Sequence, residues 1–230
     1  MNTPKILIIA LMAILLIVSS AMAQPDPQKS SQAKKGLRFE INDPTGRNAI
    51  TFKSYAPLED IVGTTNEITG YLIFDPNNPK NNGYGELTVP VASLNTGIPL
   101  RDEHLRSEGW LNAIKYPEIK LVIKEIKDIK EVKTTEETAT YDINVAGDFS
   151  LHGKTRPIEI SGRITYLKEN EATQKRLPGD LLAARADFEI SLADYGVTGP
   201  AGMDIIGSKV GEIISIEVSI MGNSVSKTTQ

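Results

Sequence analysis

From Leu37 onward the chain alternates apolar and polar residues in a long succession of short segments. One parity collects Leu37, Phe39 and Ile41, then Ile50 and Phe52, then Ile68, Leu72 and Phe74 around Gly70. Further on it collects Leu87, Val89 and Val91; Ile119, Leu121 and Ile123; and Tyr141, Ile143, Val145, Gly147 and Phe149. The series ends with Ile158, Ile160, Ile164 and Tyr166 around Gly162, then Leu182 through Ile190, and finally Ile214, Ile216, Val218 and Ile220. Successive side chains of a strand point to opposite faces, so this period of two predicts strands with one apolar and one polar face. No segment carries helical periodicity for more than about four turns.

Two stretches, Thr134–Thr138 and Glu169–Asp180, are polar enough to be hairpin loops. Ile123, Ile126, Ile129 and Val132 recur every third residue, which fits neither period and predicts a strand running into an irregular hairpin. An antiparallel sheet of eight or nine such strands must hide its apolar face and its edges. It does so as a sandwich or as a closed barrel, and the alternation alone fits both. Glycines within strands, at Gly70, Gly147 and Gly162, favour the sharp coiling of barrel strands. An eight-stranded barrel is either filled by its own side chains or just wide enough for one slender ligand.

The flanks differ in character. Residues 1–23 read as a signal peptide, with Lys5, an apolar run from Ile6 to Val18, and Ala21-Met22-Ala23 before Gln24. The run is shorter than the roughly 20 residues of a membrane span, although an uncleaved anchor is the competing reading. Residues 24–35, rich in Pro, Ser and Lys, read as a disordered tether, and 223–230 as a disordered tail. The domain therefore occupies 36–222, and the expected location is periplasmic or secreted after cleavage near Ala23. The chain has no cysteine, so neither disulfides nor thiol chemistry enter. Its formal charge is -4, with no evident basic face, which argues against nucleic acid as a partner. A single chain and a homodimer fit the sequence equally.

Candidate chemistry gathers in Leu100–Pro117, which carries His104, Arg101, Asp102, Glu108 and the sole tryptophan, Trp110. A metal site needs three or four ligands, and the only histidines, His104 and His152, lie far apart in sequence. Ser107 lies beside His104 without a nucleophile motif, and Asp102 with Glu108 as a glycosidase pair are two acids on a short helix. No catalytic residue, metal or cofactor is therefore expected. Arg101 and Asp102 are expected to pair and fix the segment, with Arg101 or His104 facing a ligand head group. Leu100, Leu111 and Ile114 would share one side of two short helical turns separated by Gly109, with Asp102 capping the first. His152 and Gly153 fall where a tight hairpin turn is expected.

Several motifs resemble those of the YceI-like, polyisoprenoid-binding proteins of bacteria. They are Ser93, Thr96 and Gly97; Arg101, Asp102, His104 and Leu105; Trp110 and Leu111; and Tyr116 with Pro117. "GDFSLHGKTRPIEI" from Gly147, "FEISLADYGV" from Phe188 and "VGEIISIEV" from Val210 continue the likeness, with Leu192 where the family often has a basic residue. The resemblance implies an all-β fold: an antiparallel, eight-stranded, lipocalin-like barrel with a short helical lid near residues 100–115. It implies a binding protein and not an enzyme, holding a long isoprenoid of quinone or prenyl phosphate type for carriage or storage, with transient membrane contact. The expected head-group residues are Arg101, Asp102 and His104. The expected tail lining is Phe39, Phe52, Phe74, Leu105, Trp110, Leu111, Tyr116, Phe149, Ile160 and Phe188. An enzyme of unidentified chemistry and a ligand-free structural or stress protein with a packed barrel are the alternatives.

Overall fold

The alternating segments form strands that run up and down around a closed ring. The structure, a computed structural model, describes residues 36–55, 59–81, 83–199 and 210–224. The expected signal peptide, the tether and the last six residues lie outside the described residues. The strands are β1 (Leu37–Ile41), β2 (Ala49–Ser54), β3 (Ile61–Thr65), β4 (Thr69–Phe74), β5 (Tyr84–Pro90) and β6 (Glu118–Thr134). They continue as β7 (Thr138–Leu151), β8 (Lys154–Leu167), β9 (Leu181–Ser191) and β10 (Ile213–Ser224). Two short helices, α1 (Pro99–Arg106) and α2 (Glu171–Gln174), interrupt them. β10 runs to Ser224, two residues beyond the expected end of the domain.

Ten strands make eight staves. β1 pairs β4 while β2 pairs β3, so β1 with β2 is one broken stave and β3 with β4 the next. The ring then runs through β5 to β10 and closes because β10 pairs both halves of the first stave. The break is held by side chains. The Asp43 carboxylate accepts from the Thr45 and Arg47 amides, the Thr45 hydroxyl and the Arg47 guanidinium, folding the link into a tight loop. Asn48, 2 % exposed, then takes the place of a strand partner. Its Oδ1 accepts from the Met221 amide at 2.8 Å and its Nδ2 donates to the Met221 carbonyl at 3.4 Å, where β10 passes from β2 to β1. A buried polar group left unmatched is costly, and one amide side chain matches both.

The threefold spacing of Ile123, Ile126 and Ile129 also has a cause. β6 is continuous to Thr134, but its register against β7 shifts between Ile123 and Glu125, Ile126 and Asp128, and Glu131 and Lys133. Each extra residue resets the inward parity, so a strand reads with a period near three; the expected irregular hairpin is a bulged strand. The β7–β8 turn is as expected: His152 and Gly153 adopt φ of 51° and 73°. A Cβ on Gly153 would lie 2.4 Å from the Tyr116 ring, so that position needs glycine for space as well as for φ.

The two ends of the barrel are built differently. At the end away from α1, Phe39 meets Tyr166 edge to face at 6.3 Å and Phe74 tilts against Tyr141 at 5.9 Å. The Tyr166 hydroxyl donates to Asp180 at 2.8 Å, tying the ring to the β8–β9 link. Burial, reinforced by that carboxylate, pushes the Tyr166 hydroxyl well above the usual phenol range.

At the other end the segment between β5 and β6 forms the lid. Asp102, 7 % exposed, accepts from the Thr96 amide at 2.7 Å and the Thr96 hydroxyl at 2.6 Å. It therefore anchors the preceding turn and does not cap the helix, whose N-cap is Ile98 with Pro99 following. Nor does it pair with Arg101. Arg101 donates Nε to Thr96 Oγ1 at 3.1 Å and Nη1 to Glu59 at 3.4 Å. Adjacent helical residues point about 100° apart, so neighbours in sequence reach different partners. Arg106 donates to the Leu94 carbonyl at 2.7 Å. Leu111 is buried, but Leu100 and Ile114 are 61 % and 98 % exposed, so the expected shared apolar side does not form. The chain beyond the helix turns through Asn112 at a φ of 49°, which takes Ile114 away from the barrel.

Two outcomes follow from these anchors. Asn48→Ala leaves the Met221 backbone unmatched and lowers stability by about 2 kcal/mol, roughly 6 °C in Tm, measured by thermal denaturation. Asp102 has its carboxyl held below the usual range by the Thr96 hydroxyl bond, against burial, with the Thr96 amide, Arg106 and Arg101 assisting. Its contribution is thus complete above the ordinary carboxylate value of about 4 and is lost as pH falls through the lower native value. Acid titration of Asp102→Asn should show a shallower loss of stability across that window than the parent; parallel curves would contradict it.

Candidate functional site

The inward faces of the staves do not meet in the lid-side half of the barrel. They leave a cavity of about 700 Å³. Its wall comes from Ile50 and Phe52 on β2, Leu87 and Val89 on β5, and Ile119 and Leu121 on β6. Phe149 and Leu151 on β7, Phe188 and Ile190 on β9, and Ile214, Ile216 and Val218 on β10 complete it. These positions are the period-two residues of the sequence, so the alternation itself builds the wall. Phe52 fits because Gly63 stands opposite on β3: a Cβ there would come within 2.1 Å of the ring. A second, smaller hollow of about 90 Å³ lies in the other half, lined by residues including Phe74, Ile160, Ala184 and Ala186.

The lid contributes the cavity roof. Leu105, Trp110 and Leu111 line it, and the Trp110 ring lies over Gly199 in the β9–β10 link. Ile98, 48 % exposed, and Leu100 line it too, which marks where the cavity meets solvent. Polar groups are confined to this end: Arg101, His104, Thr96, Ser107 and Glu59, with Ser54 and Thr65 on the strand ends. The last two are already satisfied. Ser54 Oγ accepts from the Gly211 amide at 2.7 Å, and Thr65 Oγ1 shares a 2.7 Å bond with Ser93 Oγ. Arg101 differs, because its fork carries five donors and its two bonds use only part of it. The arrangement is an apolar pocket with one cationic corner at its mouth, suited to a ligand with a long hydrocarbon body and a polar or anionic head.

Of the expected head-group residues, Arg101 and His104 line the cavity. Asp102 does not, since its carboxylate turns back onto Thr96. Of the expected lining, Phe52, Leu105, Trp110, Leu111, Phe149 and Phe188 lie on the large cavity, and Phe74, Ile160 and Phe188 on the small one. Phe39 and Tyr116 lie on neither. Phe39 is fully buried against Tyr166, filling the closed end, and Tyr116 packs edge-on to His152 at 4.6 Å beneath the β7–β8 turn. Sequence reasoning missed Thr96 as the joint between Asp102 and Arg101, and Glu59 as the counter-charge. Thr96 was visible only as part of a turn motif, and Glu59 had no signal, because its partner lies 42 residues away. Among the described residues no group of three or more His, Cys, Asp or Glu side chains is placed to hold a metal.

The comparisons agree with this geometry. The YceI-like domain matches residues 36–221. A UPF0312 protein of Pseudomonas savastanoi is 32 % identical over 162 residues, covering 70 % of this chain and 77 % of its own. Among solved structures, BcnA of Burkholderia cenocepacia superposes with a TM-score of 0.58 at 16 % identity, covering 79 % of this chain and 98 % of BcnA. A polyisoprenoid-binding domain from Saccharophagus degradans, implicated in plant cell wall breakdown, gives a TM-score of 0.58 at 12 % identity, covering 83 % of this chain and all of that one (100 %). With the family's domain running from Gly36, just before β1, to Met221 within β10, the chain belongs to the YceI-like family of closed, antiparallel, eight-stave β-barrels.

Proposed function

We propose that the protein is an exported carrier that binds one long-chain polyisoprenoid reversibly, tail in the barrel and polar head beside Arg101 and His104. The observation that carries this reading is the cavity of about 700 Å³, apolar on its strand walls and polar only at the mouth. An apolar cavity of roughly 150 Å³ holds a benzene-sized molecule of six carbons, so this one matches a tail of about 30 carbons. The Saccharophagus neighbour, named for polyisoprenoid binding, supports the ligand class. A quinone oxygen or a prenyl phosphate is the head that a guanidinium would take, the phosphate through paired bonds. Export, to the periplasm or outside the cell, is part of the proposal and is supported by the sequence of residues 1–23 alone.

The position of the exposed apolar residues supports transient membrane contact as part of this reading. Among the described residues, five of the eight large exposed ones flank the lid end: Tyr55 after β2, Ile98 and Leu100 at α1, Ile114 behind it and Ile213 at the start of β10. A rim of that kind beside the mouth of the cavity suits brief insertion at a bilayer surface, the proposed source of the ligand.

Native mass spectrometry of the purified protein, with organic extraction of what co-purifies, tests the ligand. The expected result is one prenyl lipid per chain; protein that is consistently empty and takes up no prenyl lipid refutes it. Arg101→Ala should weaken binding of a prenyl phosphate by about tenfold or more while changing that of the head-less hydrocarbon little, measured by competition. The paired substitutions Ile114→Asp and Ile213→Asp, off the cavity wall, should slow uptake from phospholipid vesicles by about tenfold and leave affinity for detergent-dispersed ligand unchanged.

A further inference from the structure

The two hollows inside the barrel meet at a waist. Four residues line both: Leu87 on β5, Leu121 on β6, Phe188 on β9 and Val218 on β10. Leu87 and Leu121 are direct cross-strand partners, and Leu121 in turn stands opposite Phe149 on β7. Phe149 meets Phe188 edge to face at 5.9 Å and Tyr195 at 5.7 Å, so the largest member of the ring is held from one side. Immediately beyond Phe188 the β9 wall shrinks to Ala186 and Ala184, and that change from ring to methyl leaves the small hollow of about 90 Å³.

We propose that this waist, with Phe188 as its bulkiest member, is the stop that sets the longest tail the barrel accepts. The inference rests on the binding function proposed above and adds a rule for chain length. By the same benzene scale the small hollow is too small for a further six-carbon piece. Merging it with the space of the Phe188 ring brings it to that size, about one five-carbon isoprene unit. The wild-type waist therefore ends the tail above Phe188. Beyond the stop, extra carbons must either stay at the mouth in water or displace a packed aromatic ring.

A series of isoprenoid quinones differing by one isoprene unit in tail length tests the stop, with affinity read by competition against a fluorescent prenyl probe. The wild type should gain affinity with each unit up to a limit and then gain no more. Phe188→Ala should move that limit up by about one unit, so that the first over-length quinone binds at least about tenfold more tightly than to the wild type. Ala184→Phe in the Phe188→Ala background refills the space and should return the limit to its wild-type position. Phe188→Leu provides a milder opening in the same direction should the alanine variant unfold, which circular dichroism reports. An unchanged limit in folded variants, or a wild type with no limit, overturns the stop while leaving binding intact. No uptake of any quinone or prenyl phosphate by the wild type overturns the binding function itself, and the stop with it.

Discussion

Everything in this protein depends on the ring of backbone hydrogen bonds being closed. Strand number and stagger set the diameter of such a ring, and the side chains that point inward must then fill a space they did not choose. At the end away from the lid they do, because Phe39, Tyr166, Phe74 and Tyr141 reach across it. In the lid-side half the wall is Ile, Leu and Val with three phenylalanines, and these fall short of one another. The wall cannot collapse to close the gap without tearing the ladders. The cavity is therefore a consequence of ring closure plus residue size, and the first stave, broken between β1 and β2, is where closure is most at risk. Asn48 mends it by presenting an amide to Met221 as another strand would.

The lid converts a hollow into a site. A charged residue at the edge of an apolar space is held only if its donors have partners, and here one threonine serves two charges. Thr96 donates both its N–H and its O–H to Asp102, which leaves the lone pairs of the hydroxyl for Arg101 Nε. Asp102 thus aims Arg101 without touching it. Arg101 Nη1 already meets Glu59 at 3.4 Å, and a further direct contact with Asp102 would use up the donors left for an anionic or carbonyl head. Separate placement keeps both the anchor and the attraction.

The fold was legible because a half-buried strand writes its orientation into every second residue. The wall positions of β5, β7, β9 and β10 can be named from parity alone, and the turn at His152 and Gly153 from hairpin chemistry. Where parity failed, the cause was a bulge: three register shifts in β6 turn a period of two into a period near three. The lid was less legible. Parity and helical spacing constrain which way a residue faces within an element, but Asp102, Thr96 and Arg101 belong to a turn and the helix after it, where facing depends on the path of the chain. For the same reason Ile114 was expected on the barrel and lies in solvent, and Tyr116 was expected on the cavity and lies against His152. Phe39 was legible as inward, but how far along the barrel axis the hollow reaches is a matter of opposing side-chain volume, which one strand's pattern does not contain.

The energetics favour exchange over retention for the proposed ligand. A tail of about 30 carbons, at about 0.8 kcal/mol each, would gain roughly 24 kcal/mol on leaving water, beyond the ceiling of roughly 21 kcal/mol for non-covalent binding. Water is not the starting point, however. A prenyl lipid resides in a bilayer, where its tail is already out of water, so the apolar gain on entering the barrel nearly cancels. What remains is a contest between the cost of ordering a flexible tail in a fixed cavity and the contacts that a bilayer lacks. Those contacts are wall complementarity along the staves and the cationic corner at Arg101. Because the two sides are of similar size, small changes at the mouth would shift occupancy, and in the proposed function the exposed rim beside it would be the route by which the lipid crosses without passing through water.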